Sequence, residues 1–296
     1  MASDRAAPEA EPRVDDQSQL IPETKTGELL DELTRTTGTD FRSEESKFML
    51  FLSNAQSTLQ RSELHDGLFD LHEELTRTFI AGNIRAVQPW ATGESEFHIQ
   101  RKSWDSVVDK LYRLNIEENP NSPEPPSVLR QPAHGTDSIA EPAWVTPLTA
   151  HLVADDLLRT KFVVPFADGV VTLGRRIERL SRDLGLHCVK RYHAKDTGYH
   201  AQHFYITFRT AESGTADTSI SVEVKVLTQM QDVLGELTHL LYVKRRTGAV
   251  RLPKKRKVAW ELESSDFESA YLGHAGHYLE ASIVNLKRAL IRGNEK

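Results

Sequence analysis

The segment SISVEVKVLT, Ser219 to Thr228, alternates polar and apolar residues from Ser219 through Val226. Side chains of a β-strand point to opposite faces with a period of two. Ile220, Val222, Val224 and Val226 therefore share one face, and Ser221, Glu223 and Lys225 share the other. A strand of this kind needs a sheet with one covered face. Neighbouring segments supply it. KFVVPF (161–166) is a short apolar run fit for a buried strand, and LHCVKRYH (186–193) and QHFYITFR (202–209) read as two more. Between the first two, Leu173, Ile177, Leu180 and Leu184 recur at helical spacing and predict an amphipathic helix that ends near Gly185. By pattern alone, the polar face of 219–228 meets water.

Helical periodicity dominates the flanks. It predicts helices over 26–36, 44–82 and 103–116 ahead of the strands, one from Gln229 to about Tyr242, and a last one over 265–291 after a basic loop and a short strand. His65 and His72 fall on the second helix as surface residues. In the last helix, Tyr271, Leu272, Tyr278, Leu279, Ile283, Leu286, Leu290 and Ile291 serve core closure or a homo-oligomer interface. The first 25 residues are rich in Ala, Pro, Glu and Asp and predict a disordered tail. Residues 118–147 form a Pro-rich insertion, because proline fixes φ and removes a backbone donor. Strands mixed with helices indicate an α/β or α+β sheet. The expected domains are the tail (1–25), N-terminal helices (26–96), a core (97–245) and a basic loop with a C-terminal helix (246–296).

Composition narrows the chemistry. The formal net charge is −6, so no global basicity points to nucleic acid, although local patches such as PKKRKV (253–258) remain. A single cysteine, Cys188, excludes an intramolecular disulfide framework and a Cys-based zinc site, and it fits a reducing cytoplasm. The N-terminus lacks the apolar region of a secretory signal, and no run reaches the roughly 18 apolar residues of a membrane span. A cytoplasmic protein without membrane contact is expected.

Three groups of residues can carry chemistry. Asp156, with Asp155 as a rival, sits just ahead of one strand, and Glu223 lies on another. Two such carboxylates on neighbouring strands suit Mg²⁺, a hard cation that takes oxygen ligands. Lys102, Ser106 and Lys110 are spaced i, i+4, i+8. If helical, they form a polar stripe suited to phosphates, with Ser103 or Asp105 as its cap. Finally, the turn AKDTGYHAQH (194–203) carries Lys195, Tyr199 and two histidines where small polar residues would do.

In this order the segments resemble the synthetase domain of the RelA/SpoT family, the (p)ppGpp synthetases. Members carry R-x-K-S followed by S-x-x-x-K, then D-L-x-G-x-R entering a strand, K-x-N-G-Y-x-S-x-H, E-I-Q-I-R-T and E-x-E-H-x-x-Y-K. Here stand Lys102-Ser103 with Ser106 and Lys110, Asp156-Leu157, Lys195, Gly198-Tyr199 and His203, Glu223 to Thr228, and Glu236, His239, Tyr242 and Lys244. The resemblance implies an α+β, nucleotidyltransferase-like mixed β-sheet flanked by helices, with helical extensions at both ends. It implies transfer of the β,γ-pyrophosphate of ATP to the 3′-hydroxyl of GDP or GTP with Mg²⁺. Asp156 and Glu223 match the metal-binding, catalytic carboxylates. Arg101, Lys102, Ser106 and Lys110 match the ATP site. Lys195, Tyr199, His203 and His239 match the acceptor site, where the tyrosine stacks on guanine. The sequence departs from the pattern at Gln100, Thr197, Lys225, Leu227 and Thr238, and these changes bear on acceptor choice. The alternatives are a relative that pyrophosphorylates tRNA 3′-ends, and a catalytically degenerate nucleotide-sensing or interaction module.

Overall fold

The computed structural model describes residues 23–81, 97–126, 142–211, 217–246 and 265–293. Nearly all of the expected tail, the middle of the Pro-rich insertion, the PKKRKV segment and the expected short strand before the last helix lie outside the described residues.

Three helices come first: α1 (Glu23–Thr37), α2 (Phe41–Gln60) and α3 (Glu63–Ala81). The expected single helix over 44–82 is two, for a local reason. The Ser62 hydroxyl oxygen accepts the His65 N–H at 3.3 Å, which starts a new helix where the old one would continue. Asp40 caps α2 in the same way, accepting from the Arg42 and Ser43 amides. His65 and His72 are not surface residues. Their rings lie 5.4 and 6.0 Å from that of Phe97, which in turn meets Phe162 of the sheet.

Among the described residues the sheet has five strands: β1 (Gln100–Arg101), β2 (Leu158–Val164), β3 (Cys188–Ala194), β4 (His200–Ala211) and β5 (Asp217–Thr228), in the order β1-β2-β5-β4-β3. β2 runs parallel to β5, and every other pair is antiparallel. β2 starts earlier than the apolar run predicts and stops before Pro165, which has no N–H to extend the ladder. The parallel pair requires a crossover, and α5 (Ala167–Asp183) begins it.

Register decides which residues share a face. Leu158 and Phe162 of β2 stand beside Val222 and Val226 of β5, and Phe204 and Ile206 of β4 stand beside Val224 and Val222. All are buried, and they join Leu173 and Ile177 of α5 and Phe48, Leu52 and Leu59 of α2 in one core. Gly174 of α5 lies so close to β4 that a Cβ there would come within 2.8 Å of the Phe204 ring. One face of the sheet is thus sealed, and the polar face points away from α5.

Ahead of β2, α4 (Trp104–Tyr112) continues into a widened π-helical turn, Arg113–Glu117. That turn buries Asn115, whose side chain bonds both backbone groups of Val145 and so pins the far end of the Pro-rich insertion. After β5, α6 (Gln229–Arg246) and α7 (Ser265–Gly293) pack together. The inward face of α7 is Ala270, Gly273, Gly276, Glu280 and Val284. Core closure by the large apolar residues of this helix is not what occurs: Tyr271, Leu272, Tyr278, Leu279, Ile283 and Leu286 are all exposed. The small residues let α7 approach closely, and the large ones are left outside. Among the described residues, no helix is long and apolar enough to cross a membrane.

Candidate active site

The uncovered face of the sheet is built by the residues that alternate with the core. Arg159 of β2, Glu223 of β5, Tyr205 of β4 and Val189 of β3 form one cross-strand row. Lys161, Lys225, His203 and Arg191 form the next. The polar side of SISVEVKVLT therefore does not simply meet water. Glu223 is buried, at 5% exposure, among titratable neighbours.

At one edge, Asp156 lies in the turn just before β2 and accepts from two ammonium groups, Lys102 Nζ at 2.7 Å and Lys110 Nζ at 2.5 Å. The lysine side chains keep only 11% and 17% of their exposure. Burial opposes ionisation of Asp156, but the charges and hydrogen bonds of the two lysines outweigh it and hold the carboxyl well below the usual range. Burial likewise pulls Lys102 down, with Asp156 opposing. The expected stripe is realised by a different geometry. Lys102 precedes the Ser103 cap and is not in α4, yet the backbone N–H of Lys102 bonds the Leu157 carbonyl and brings its side chain to the same carboxylate as Lys110. Ser106 is engaged at the cap, where the Ser103 hydroxyl donates to its oxygen at 3.0 Å. Asp105 is not the cap; it accepts from Thr26 of α1. Arg101 is exposed on β1.

A second chain of contacts crosses the face. Glu223 Oε1 lies 2.8 Å from His203 Nδ1, and His203 Nε2 lies 2.9 Å from the Tyr199 hydroxyl. Since ionised Glu223 can only accept, Nδ1 carries the proton, and Nε2 accepts from Tyr199. Burial raises the Glu223 pKa, but the His203 hydrogen bond and Lys225 outweigh it and bring it to about 2. Tyr199 is pushed above the ordinary phenol range, first by burial and then by Glu223 and Asp232. Lys195 Nζ lies 5.4 Å from the centre of the Tyr199 ring. The turn between them closes through the Lys195 N–H to the Tyr199 carbonyl and needs Gly198 at φ +78°. His239 lies in α6, but its side chain is outside those described.

The two expected metal carboxylates lie in the turn ahead of β2 and on its neighbour β5, but they do not face each other. The Asp156 oxygens turn to lysines and Glu223 turns to His203. They are still close enough for Asp156 to oppose ionisation of Glu223. The donor chemistry fits Mg²⁺. Glu223 Oε2 is buried without a hydrogen-bond donor, held only by a 3.3 Å ion pair to Lys225, and a carboxylate with two lysine partners keeps further lone pairs. Among the described residues, no group of three or more His, Cys, Asp or Glu side chains is arranged to hold a metal, so phosphate and water must complete any coordination shell.

Sequence reasoning missed Arg191, His193 and Tyr205. The His193 ring lies 4.2 Å from that of His203, the Tyr205 hydroxyl sits 3.4 Å from both imidazoles, and Arg191 stands over the Tyr205 ring. Burial, then His203, lowers His193 to about 4. The period of two within β4 links Tyr205 to His203, whereas Arg191 and His193 join them only through the register of β3 against β4.

Fold and face together define an α+β protein with a five-stranded mixed sheet, sealed by helices on one side and lined with cations around two low-pKa carboxylates on the other. No family model matches the sequence, and no curated protein matches it. Similar solved structures include small alarmone synthetase 1 from Bacillus subtilis bound to its product pppGpp, at 14% identity over 84% of this chain and 98% of that one, with a TM-score of 0.48. Small alarmone synthetase 2 from the same organism is 17% identical over 78% and 99%, with a TM-score of 0.41. A GTP pyrophosphokinase family protein from Streptococcus pneumoniae is 14% identical over 77% and 97%, with a TM-score of 0.40. At these identities the likeness is one of fold.

Proposed function

We propose that this chain is an ATP:nucleotide 3′-pyrophosphokinase that makes (p)ppGpp from GDP or GTP. The observation that carries the reading is the meeting of Lys102 and Lys110 on Asp156 at the edge of the face that holds Glu223, His203 and Tyr199. Five motifs in the order of the RelA/SpoT synthetases support it. In the reaction, the acceptor 3′-oxygen attacks the β-phosphorus of ATP, the bond from that phosphorus to the α,β-bridging oxygen breaks, and AMP leaves. Catalysis of this kind is mainly positioning and charge neutralisation.

Lys102 and Lys110 serve the triphosphate. Their shared carboxylate holds both ammonium groups in place, and anionic phosphate oxygens compete with it for their protons. Glu223 and Asp156 would hold Mg²⁺, which would supply further charge neutralisation at the phosphates. Tyr199 and Lys195 form the acceptor subsite, with the Tyr199 ring as a stacking surface whose orientation is fixed by its hydroxyl bond to His203. A carboxylate whose pKa is about 2 is a weak base, so Glu223 orients the acceptor hydroxyl and solvent takes its proton.

The test is incubation with labelled ATP and Mg²⁺ plus GDP, GTP, AMP or tRNA, followed by separation of products. Label transferred to GDP or GTP is the expected result. Transfer only to tRNA 3′-ends would replace the acceptor, and absence of both transfer and calorimetric ATP binding would leave an interaction module.

A further inference from the structure

The turn Lys195–Tyr199 does not stand alone. Gly198 lies against α7 so closely that a Cβ there would come within 2.5 Å of the Ala270 carbonyl oxygen, and one on Gly273 would come within 2.5 Å of the Gly198 carbonyl oxygen. Gln231 of α6, buried, accepts from the His200 N–H at 3.0 Å and donates to the Gly273 carbonyl at 3.1 Å. The remaining contacts are made by imidazoles. The His200 ring stacks on His277 with centroids 4.0 Å apart and planes 4° apart. His200 Nε2 lies 3.3 Å from His274 Nδ1, and His274 Nε2 lies 3.4 Å from the Asp196 carbonyl.

We propose that these three histidines are an acid-sensitive latch: with the stacked His200 and His277 neutral, they hold α7 against the Lys195–Tyr199 turn, and protonation of that stacked pair releases it. The geometry requires neutral rings. A parallel stack of two imidazolium ions at this distance is repulsive, and the contact between His200 and His274 needs one nitrogen with a lone pair. The groups facing the cluster are Tyr192, Tyr278, Gln231, Lys195, Glu280 and Asp196, whose side chain is exposed. Tyr192 of β3 meets His200 Nδ1 at 3.1 Å and is neutral. The Tyr278 ring lies 6.2 Å from that of His277. Gln231 carries no charge. Asp196 presents its carbonyl, and Lys195 on the same turn adds positive charge. Glu280 is buried on α7, where burial raises its pKa and a Thr228 hydrogen bond opposes, and it faces Tyr192.

The titration has a definite sign. Burial, then His277 and His274, lowers His200 from 6.5 to about 4, and burial followed by His274 lowers His277. The undocked state therefore binds protons more readily. Docking is complete above about pH 6.5 and fades as pH falls toward 4. Because the turn carries Tyr199 and Lys195, release would disorder the acceptor subsite; that consequence rests on the proposed function, whereas the latch itself does not.

Hydrogen exchange on the full chain, read by mass spectrometry and corrected for the intrinsic effect of pH, tests it without any substrate. Between pH 7.5 and pH 5.0, segments 195–200 and 270–284 should together lose at least tenfold in protection, while 219–228 keeps its own. His277→Phe keeps the stack but cannot protonate, and it should move the loss to lower pH; His274→Gln should do the same, by a contact that differs in chemistry. Unchanged protection at pH 5.0 would overturn the latch, as would loss in one segment without the other, simultaneous loss in 219–228, or an unshifted transition in both variants. Labelled-ATP transfer at pH 7.5 tests the proposed function separately, since the latch is closed there.

Discussion

Replacing Asp156 with Asn removes a carboxylate that two nearly buried ammonium groups share. Breaking a buried ion pair by deleting one partner costs about 3–5 kcal/mol, because the other charge is left stranded. Two charges are stranded here, yet Asp156 retains 27% exposure, so solvent reaches part of the site. These effects oppose each other, and a loss of about 3 kcal/mol follows at pH 7. For a chain of this size that is a fall in Tm of roughly 6–12 °C. Adding Lys102→Met removes one stranded charge and should recover about half of the loss. Urea denaturation followed by circular dichroism measures all three proteins. The pH dependence adds a second check. The folded pKa of Asp156 lies below its ordinary value of 3.8, so its contribution is full above that pH and disappears as pH falls through the lower folded value. The gap between wild type and variant should therefore narrow below about pH 4. A variant within 1 kcal/mol of wild type at pH 7, or a gap that stays constant into acid, would refute the shared-clamp account. Binding separates the clamp from a metal role. The Asn variant should keep or tighten its grip on tripolyphosphate without Mg²⁺, since the site has become more positive, and lose only the Mg²⁺-dependent part.

Glu223→Gln should flatten the acid limb of stability. Its pKa falls from 4.5 unfolded to about 2 folded, so about 3 kcal/mol present above pH 4.5 is lost on the way down to pH 2, and urea titrations across that range should show the slope vanish. Tyr199→Phe leaves His203 Nε2 without its donor and should cost about 1–2 kcal/mol in denaturation, while Tyr199→Ala should also weaken acceptor binding by about tenfold or more in calorimetry. Gly198→Ala should destabilise by about 1–3 kcal/mol, because φ is +78° and α7 leaves no room for a methyl group. Gly235→Ala, with nothing within 4 Å, should stabilise α6 by up to about 1 kcal/mol, and thermal melts of both variants decide the pair.

What was legible in the sequence follows from how local each cause is. The alternation of 219–228 placed β5 and its two faces, because a period of two is a property of the strand itself. The amphipathic spacing of Leu173 and Ile177 placed α5. The break at Arg61-Ser62 escaped periodicity because a single hydroxyl bond to His65 decides it, and apolar spacing runs on across the gap. The site was readable as residue types but not as contacts. Lys102 and Lys110 could be named as a helical stripe, but α4 starts only after Ser103, so Lys102 reaches Asp156 from outside the helix. Arg191 and His193 were invisible for a different reason. Their place beside His203 depends on the register of β3 against β4, which no single segment encodes. For the large residues of α7 only the core-closure alternative fails, because the close approach to α6 and to the Gly198 turn selects glycine and alanine for the inward face; their exposure leaves the homo-oligomer alternative in place.

The charge pattern of the open face gives the strongest physical constraint on its ligand. The chain as a whole is acidic at −6, yet Lys102, Lys110, Lys161, Lys195, Lys225, Arg159 and Arg191 gather on or around one face, with Asp156 and Glu223 among them and Asp155 and Asp232 near by. Lys161 is paired from outside by Asp232 of α6 at 3.0 Å. A local excess of positive charge on an acidic protein is costly to assemble, because burial lowers Lys102 and the cations repel one another. A multiply charged anion relieves that repulsion, and a neutral ligand does not. Both carboxylates are held ionised throughout the neutral range, so neither can act as an acid there. A face that keeps its acids deprotonated and its cations in excess suits the transfer of a charged group between oxygens, where geometry and neutralisation matter more than proton donation.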